Sequence, residues 1–85
     1  MVSLTPNSSF SVTIRLEVPN RAGMLASVTQ AIAALGGNIG QIDLIEQTRK
    51  ITIRDIAIDA SSSEHADQIV NVVKALPDVV RFVEV

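Results

Sequence analysis

Apolar and polar residues alternate over residues 11–18, SVTIRLEV, so that Val12, Ile14, Leu16 and Val18 share one side and Ser11, Thr13, Arg15 and Glu17 the other. A period of two predicts a half-buried strand. Pro19 and Asn20 interrupt it, and Leu25, Val28, Ile32 and Leu35 then recur at spacings of three, four and three, flanked by Met24 and Ala31. That spacing predicts a helix with one apolar face, ended by Gly36 and Gly37, because glycine takes the left-handed cap conformation without a Cβ penalty. Asn38 to Gln47 reads as a second strand with Ile42 and Leu44 in phase, and Thr48 to Lys50 as the turn into a third strand paired with it as a hairpin. In that third strand Ile51 and Ile53 occupy odd positions and Ile56 and Ile58 even ones, which predicts a β-bulge at Arg54 and Asp55 that keeps both pairs inward. Ser61 and Glu64 form an S-x-x-E capping box ahead of Ile69, Val72, Val73 and Leu76, a second amphipathic helix stopped by Pro77. Residues 79–85, VVRFVEV, are β-branched and mostly apolar on both sides, as expected of a last strand with a covered surface or an interface.

The element order is therefore strand, helix, strand, strand, helix, strand. Two right-handed crossovers convert it into an α+β, ferredoxin-like βαββαβ sandwich, a four-stranded antiparallel sheet with two helices on one face. One domain over residues 10–85 follows, with residues 1–9 expected as a flexible N-terminal tail. The other face of the sheet is left bare, and that face or the sheet edges are natural docking places for a second copy.

Composition narrows the chemistry. The 85 residues include two Phe, one His and no Trp, Tyr or Cys, so the core must be built from Val, Ile, Leu and Ala. Disulfide scaffolds, Cys-based metal sites and thiol catalysis are excluded. Seven basic against nine acidic residues give a net charge of −2, without the basic patch that nucleic acid requires. The RNA-binding modules of this element order stack bases on sheet aromatics, which two Phe residues, Phe10 placed in the tail, do not provide. No apolar run reaches the roughly 18 residues of a membrane span, so the expected location is the cytoplasm, with no membrane partner. A chain this short buries only about 60 to 65% of its unfolded surface, which favours a homodimer or higher oligomer.

The positions that carry chemistry cluster at the turn from the first strand into the first helix, Pro19-Asn20-Arg21-Ala22-Gly23-Met24-Leu25. Asn20 reads as a helix cap, Gly23 as a point of close approach, and the N–H groups of the first helical turn as a seat for a small carboxylate. The plainer alternative is that Asn20 only caps and Gly23 only packs. Asn38 either projects polar atoms towards the same end of the sheet or is a turn residue in a left-handed conformation. Arg54 and Asp55 read either as an interprotomer ion pair or as solvated charges beside a bulge. His65 reads as a surface residue between Glu64 and Asp67. Asp55 and Asp59 share a strand face without a third ligand, so no metal site is expected. Arg21 is the one candidate for an acylphosphatase-like phosphate cradle, but it lacks the glycine-rich loop that would present successive N–H groups.

Asn20-Arg21-x-Gly23-x-Leu25, followed by Asn38-Ile39 inside a βαββαβ pattern, resembles the ACT domain, a small regulatory module that binds amino acids and related metabolites. The resemblance covers roughly residues 10–85, and the chain departs from the family motif with Ala22 where Pro is usual. It implies a ligand held between two protomers, by the strand-to-helix loop of one and the start of the second strand of the other. On that precedent Asn20 and Asn38 hydrogen-bond the ligand, the backbone of Arg21 to Met24 shapes the pocket, and Leu25 and Ile39 complete the ligand-binding set. Val18 stands where the serine-binding members with a similar loop carry a histidine, so serine is not the effector implied. A narrower likeness, Thr52-Ile53-Arg54-Asp55-Ile56-x-Ile58-Asp59-Ala60-Ser61, then Glu64-His65-Ala66 and Ala75-Leu76-Pro77, is similar to the ACT segment at the N-terminus of certain bacterial malic enzymes. It implies a non-catalytic segment, with no cofactor of its own, controlling a downstream catalytic domain that decarboxylates malate with NAD(P). The alternatives are a free-standing dimerisation module without ligand, and the acylphosphatase-like enzyme on the same fold.

Overall fold

A computed structural model describes residues 6–85; the first five residues of the expected tail lie outside the described residues. Strand β1 spans Asn7–Pro19, helix α1 Met24–Ala34, β2 Asn38–Gln47, β3 Ile51–Ala60, helix α2 Ser63–Lys74 and β4 Arg81–Glu84. The strands form one antiparallel sheet in the order β2-β3-β1-β4, with both helices on one face, which is the ferredoxin-like sandwich the patterning predicts. Residues 7–9, counted with the tail on sequence grounds, belong to β1, and Phe10 lies in that strand with them.

The helix-facing side of β1 carries Ile14, Leu16 and Val18, as its alternation requires, and all three are buried. Val28 and Ile32 of α1, Ile69 and Val73 of α2, and Ile56, Ile58 and Ala60 of β3 complete a wholly aliphatic core. Val72, counted on the apolar stripe of α2, is exposed, whereas Leu76 packs against the core as its place on that stripe predicts, and Ala66 joins it beside Ile69 and Val73.

The bulge expected at Arg54 and Asp55 is absent, because β1 and β3 pair without interruption from Val12↔Ile58 to Pro19↔Ile51. Thr52, Ile56, Ile58 and Ala60 hold the inward phase of β3, so Ile53 points to the bare face. Beside β3, β2 carries two irregularities, between Ile39 and Ile42 and between Leu44 and Glu46, each adding one residue to that strand, and β1 carries one between Asn7 and Val12, ahead of the part of β1 that pairs with β4. All three lie where the irregular strand is paired on one side only, so each disturbs a single ladder.

Helix ends show what local pattern missed. α1 closes through Gly36 at φ 79, with the N–H of Gly36 bonded to Ala33 O and that of Gly37 to Ile32 O. This is the glycine-capped end that the sequence predicts. At α2 the cap is Ser62, whose side chain accepts the His65 N–H at 3.0 Å, and not Ser61. Ser61 instead donates its own N–H to His65 Nδ1 at 2.9 Å, while His65 Nε2 donates to Leu35 O at 2.6 Å. Those partners set the tautomer and make His65 a half-buried clasp between the start of α2 and the end of α1, not the surface residue expected between Glu64 and Asp67.

On the bare face Arg15 grips Asp55 with two bonds, Nε to Oδ1 at 2.7 Å and Nη2 to Oδ2 at 2.9 Å. Asp55 is therefore not a solvated charge beside a bulge, and its partner within the chain is Arg15. The hydrogen bond from Arg15 holds the Asp55 carboxyl below its ordinary range; partial burial opposes this and the Arg15 charge adds to it. A depressed folded-state pKa stabilises the protein fully above the unfolded value and is lost as pH falls through the folded one. Asp55→Asn should therefore lower the melting temperature at neutral pH, and the gap to wild type should close as the pH falls below about 4, the ordinary value of a free aspartate. Melting curves from neutral pH down into the acid range are the check; a constant gap would show that the ion pair has no such role.

Candidate ligand site at the start of helix α1

Pro19 ends β1, and the chain turns through Asn20 to Gly23 into α1. Gly23 occupies the N-cap position at φ 89, a left-handed conformation that disfavours a side chain, and a Cβ placed there would meet nothing within 4 Å. Asn20 does not cap the helix, which has no side-chain cap at all. Its Nδ2 donates to Thr48 O at 2.6 Å and its N–H to Lys50 O at 2.9 Å, so it ties the turn to the β2–β3 hairpin. Arg21 is paired with Asp78 at 3.0 Å, which anchors the turn to the segment before β4 and engages the guanidinium that a phosphate cradle would need.

Without a cap, the N–H groups of Leu25 and Ala26 have no backbone acceptor among the described residues. Both residues line a hollow of about 110 Å³, together with Pro19, Asn20, Arg21, Gly23, Met24, Thr52 and Arg54. Arg54 is the residue that sequence reasoning missed. It lies on the helix-facing side of β3, in phase with Thr52 and Ile56, and its Nη1 donates to the buried Thr52 hydroxyl at 3.0 Å. No carboxylate among the described residues neutralises it. The hollow thus combines free helix N-terminal N–H groups, the positive end of the helix dipole and a half-buried guanidinium, all of which favour an anionic group. The signal was an even-numbered charge in a strand whose even positions are otherwise inward, hidden by reading Ile51 and Ile53 as core.

Ala22, Asn38 and Ile39 do not line this hollow. Ile39 packs against the core opposite Ile58, and Asn38 pairs with Asp59 at the far end of the sheet from Pro19, which pairs with Ile51. Eight residues of β3 at about 3.3 Å each separate those levels, roughly 25 Å. Asn38 therefore does not project towards the Asn20 end of its own sheet. Near the hollow the β2 edge leaves Ile42 and Leu44 exposed on the helix-facing side. Among the described residues, no group of His, Cys, Asp or Glu is arranged to hold a metal ion, and no helix is long and apolar enough to cross a membrane.

Comparison with known proteins places these features in context. A family model described as the ACT domain matches residues 6–82. NAD-dependent malic enzyme 1 of Bacillus subtilis (strain 168) is 30% identical over 70 residues, 82% of this chain and 16% of that protein. The NAD-dependent malic enzyme of Geobacillus stearothermophilus is 28% identical over 78 residues, 92% of this chain and again 16% of the relative. The chain thus spans about one sixth of the length of these relatives. Among solved structures, the ACT domain from GTP pyrophosphokinase of Chlorobium tepidum superposes with a TM-score of 0.72 at 18% identity, covering 89% of this chain and 97% of that one. A homoserine dehydrogenase from Thiobacillus denitrificans gives 0.67 at 17% identity, covering 89% and 17%.

Proposed function

The chain belongs to the ACT domain family, whose role is regulatory and not catalytic, and from that premise we propose that it dimerises and binds a small amino-acid-like or carboxylate effector. The observation that carries this reading is the hollow at the start of α1, where Arg54 and the N–H groups of Leu25 and Ala26 converge on space a carboxylate fits. The separation of Asn38 from Asn20 within one protomer supports a site built from two. Antiparallel pairing of β2 with the β2 of a second copy brings Asn38 of the partner subunit to the end of the sheet that holds the hollow. The same pairing covers Ile42 and Leu44 and removes an open strand edge.

The attached catalytic domain that the effector would control is, on the malic enzyme likeness, one that decarboxylates malate with NAD. Such control is a coupling free energy, about 1 to 3 kcal/mol in typical cases, and requires an effector that prefers one arrangement of the dimer. Calorimetric titration of the 85-residue chain with a panel of amino acids and dicarboxylates is the direct test. A saturable heat with at least one of them is the expected result, and silence across the panel would leave a dimerisation module without ligand.

A further inference from the structure

The bare face of the sheet is not uniformly polar. Ile53, Val83 and Ile45 floor a groove of about 320 Å³, flanked by Arg15, Glu17, Glu46 and Arg81. Its charges are ordered. Following cross-strand partners from β2 to β4, one row reads Glu46, Ile53, Glu17, Arg81, and the next reads Asp43, Asp55, Arg15, Val83. The β2 end of the face is acidic in both rows and the β4 end carries Arg81. Neither Glu46 nor Arg81 has an ion-pair partner among the described residues.

We infer that this face stacks on the same face of a second copy, about a two-fold axis running parallel to the strands between β1 and β3. That operation lays each row over its own copy in reverse, so β4 faces the partner's β2. Arg81 then meets the partner's Glu46, twice by symmetry, and the Arg15–Asp55 pair meets its own inverse. A two-fold axis across the strands instead lays β2 on β2 and β4 on β4, setting acidic residues against acidic and Arg81 towards its own copy. Like charges so placed oppose association, so the charge order selects the first arrangement. Closure also covers Ile45, Ile53 and Val83, the first and last of which are about half exposed. Four strands at about 4.8 Å spacing make a face roughly 20 Å square, about 400 Å² per partner, which places the contact among weak, salt-sensitive interfaces. This contact is separate from the β2 edge and adds to it.

Sedimentation equilibrium of the full 85-residue chain at low and high salt tests the inference with three variants: Arg81→Glu, Glu46→Arg and the double exchange. Wild type should show an association that salt weakens, each single variant should weaken it about tenfold or more, and the double variant should restore it to within about threefold. Arg81 lies at the edge opposite β2, so the Arg81→Glu chain retains any β2-paired dimer and loses only the further association. If the single variants associate like wild type, if the double variant is no better than they are, or if wild type shows no association that salt weakens, the face-to-face contact is refuted. None of these results bears on effector binding, which the calorimetry reads independently.

Discussion

Gly37→Ala should lower the thermal midpoint of the domain by about 5 to 20 °C, although it adds a single methyl group. A Cβ at Gly37 would lie 2.8 Å from Ile32 Cγ2, 2.9 Å from Ile69 Cδ1 and 3.2 Å from Ile58 Cγ2. Those three side chains come from α1, α2 and β3 and are fully buried, so none can yield without moving its own element. Overpacking of this kind costs typically about 1 to 3 kcal/mol, and for a domain of this size each kcal/mol moves the midpoint by about 4 to 8 °C. Gly36 is the control. It needs its positive φ, but a Cβ there meets only His65 Nε2 at 3.9 Å. Gly36→Asn should therefore be mild, since asparagine tolerates the left-handed region, while Gly37→Asn should be at least as damaging as Gly37→Ala. Thermal melts of the four chains separate crowding from backbone strain, and a Gly37→Ala protein as stable as wild type would show that the three isoleucines have room to give.

The second large effect concerns the ligand. Arg54→Gln should weaken the effector found by calorimetry by roughly 10- to 150-fold, the range set by losing a charge-assisted hydrogen bond of about 1.5 to 3 kcal/mol. Asn38→Ala should also weaken binding, through a different protomer of the same site, without dissociating the dimer. Mixing the two variants then gives a result that neither gives alone. A mixed dimer has one site with both defects and one with neither, so an equal mixture should recover about a quarter of the wild-type sites at wild-type affinity. Titration of the mixture against each parent measures this. Full recovery failure would place Arg54 and Asn38 in the same half of the site or Asn38 outside it, and wild-type affinity in Arg54→Gln would remove the guanidinium from the reading.

Several elements were legible because their cause is local. The alternation of Val12 to Val18, the helical stripe through Val28 and Ile32, and the Gly36-Gly37 stop each depend on a few neighbours, and the structure repeats them. The β3 phase was misread because two isoleucines on each parity look alike in sequence. Pairing with β1 and β2 on both sides decides the matter, giving the inward side to Thr52, Ile56 and Ile58 and leaving Ile53 on the groove. The cap of α2 moved by one residue for a similar reason. Ser61 and Ser62 are equivalent as local signals, and only the bond from His65 to Leu35 O, contributed by the other helix, assigns one to the cap and the other to the imidazole.

The candidate site divides in the same way. Sequence by itself identified the turn from Asn20 to Gly23 and the first residues of α1, because a glycine and an asparagine between a strand and a helix are punctuation that any window shows. It also determined the fold class and a core without aromatics, since hydrophobic period and composition are properties of the chain alone. Only the tertiary structure brought Arg54 beneath the helix start, tied Asn20 to the hairpin in place of a cap, and set Asn38 at the opposite end of the sheet. It alone also ordered the charges of the bare face into rows. These are facts of register between strands distant in sequence, and register is decided by which side chains the assembled sheet can bury together.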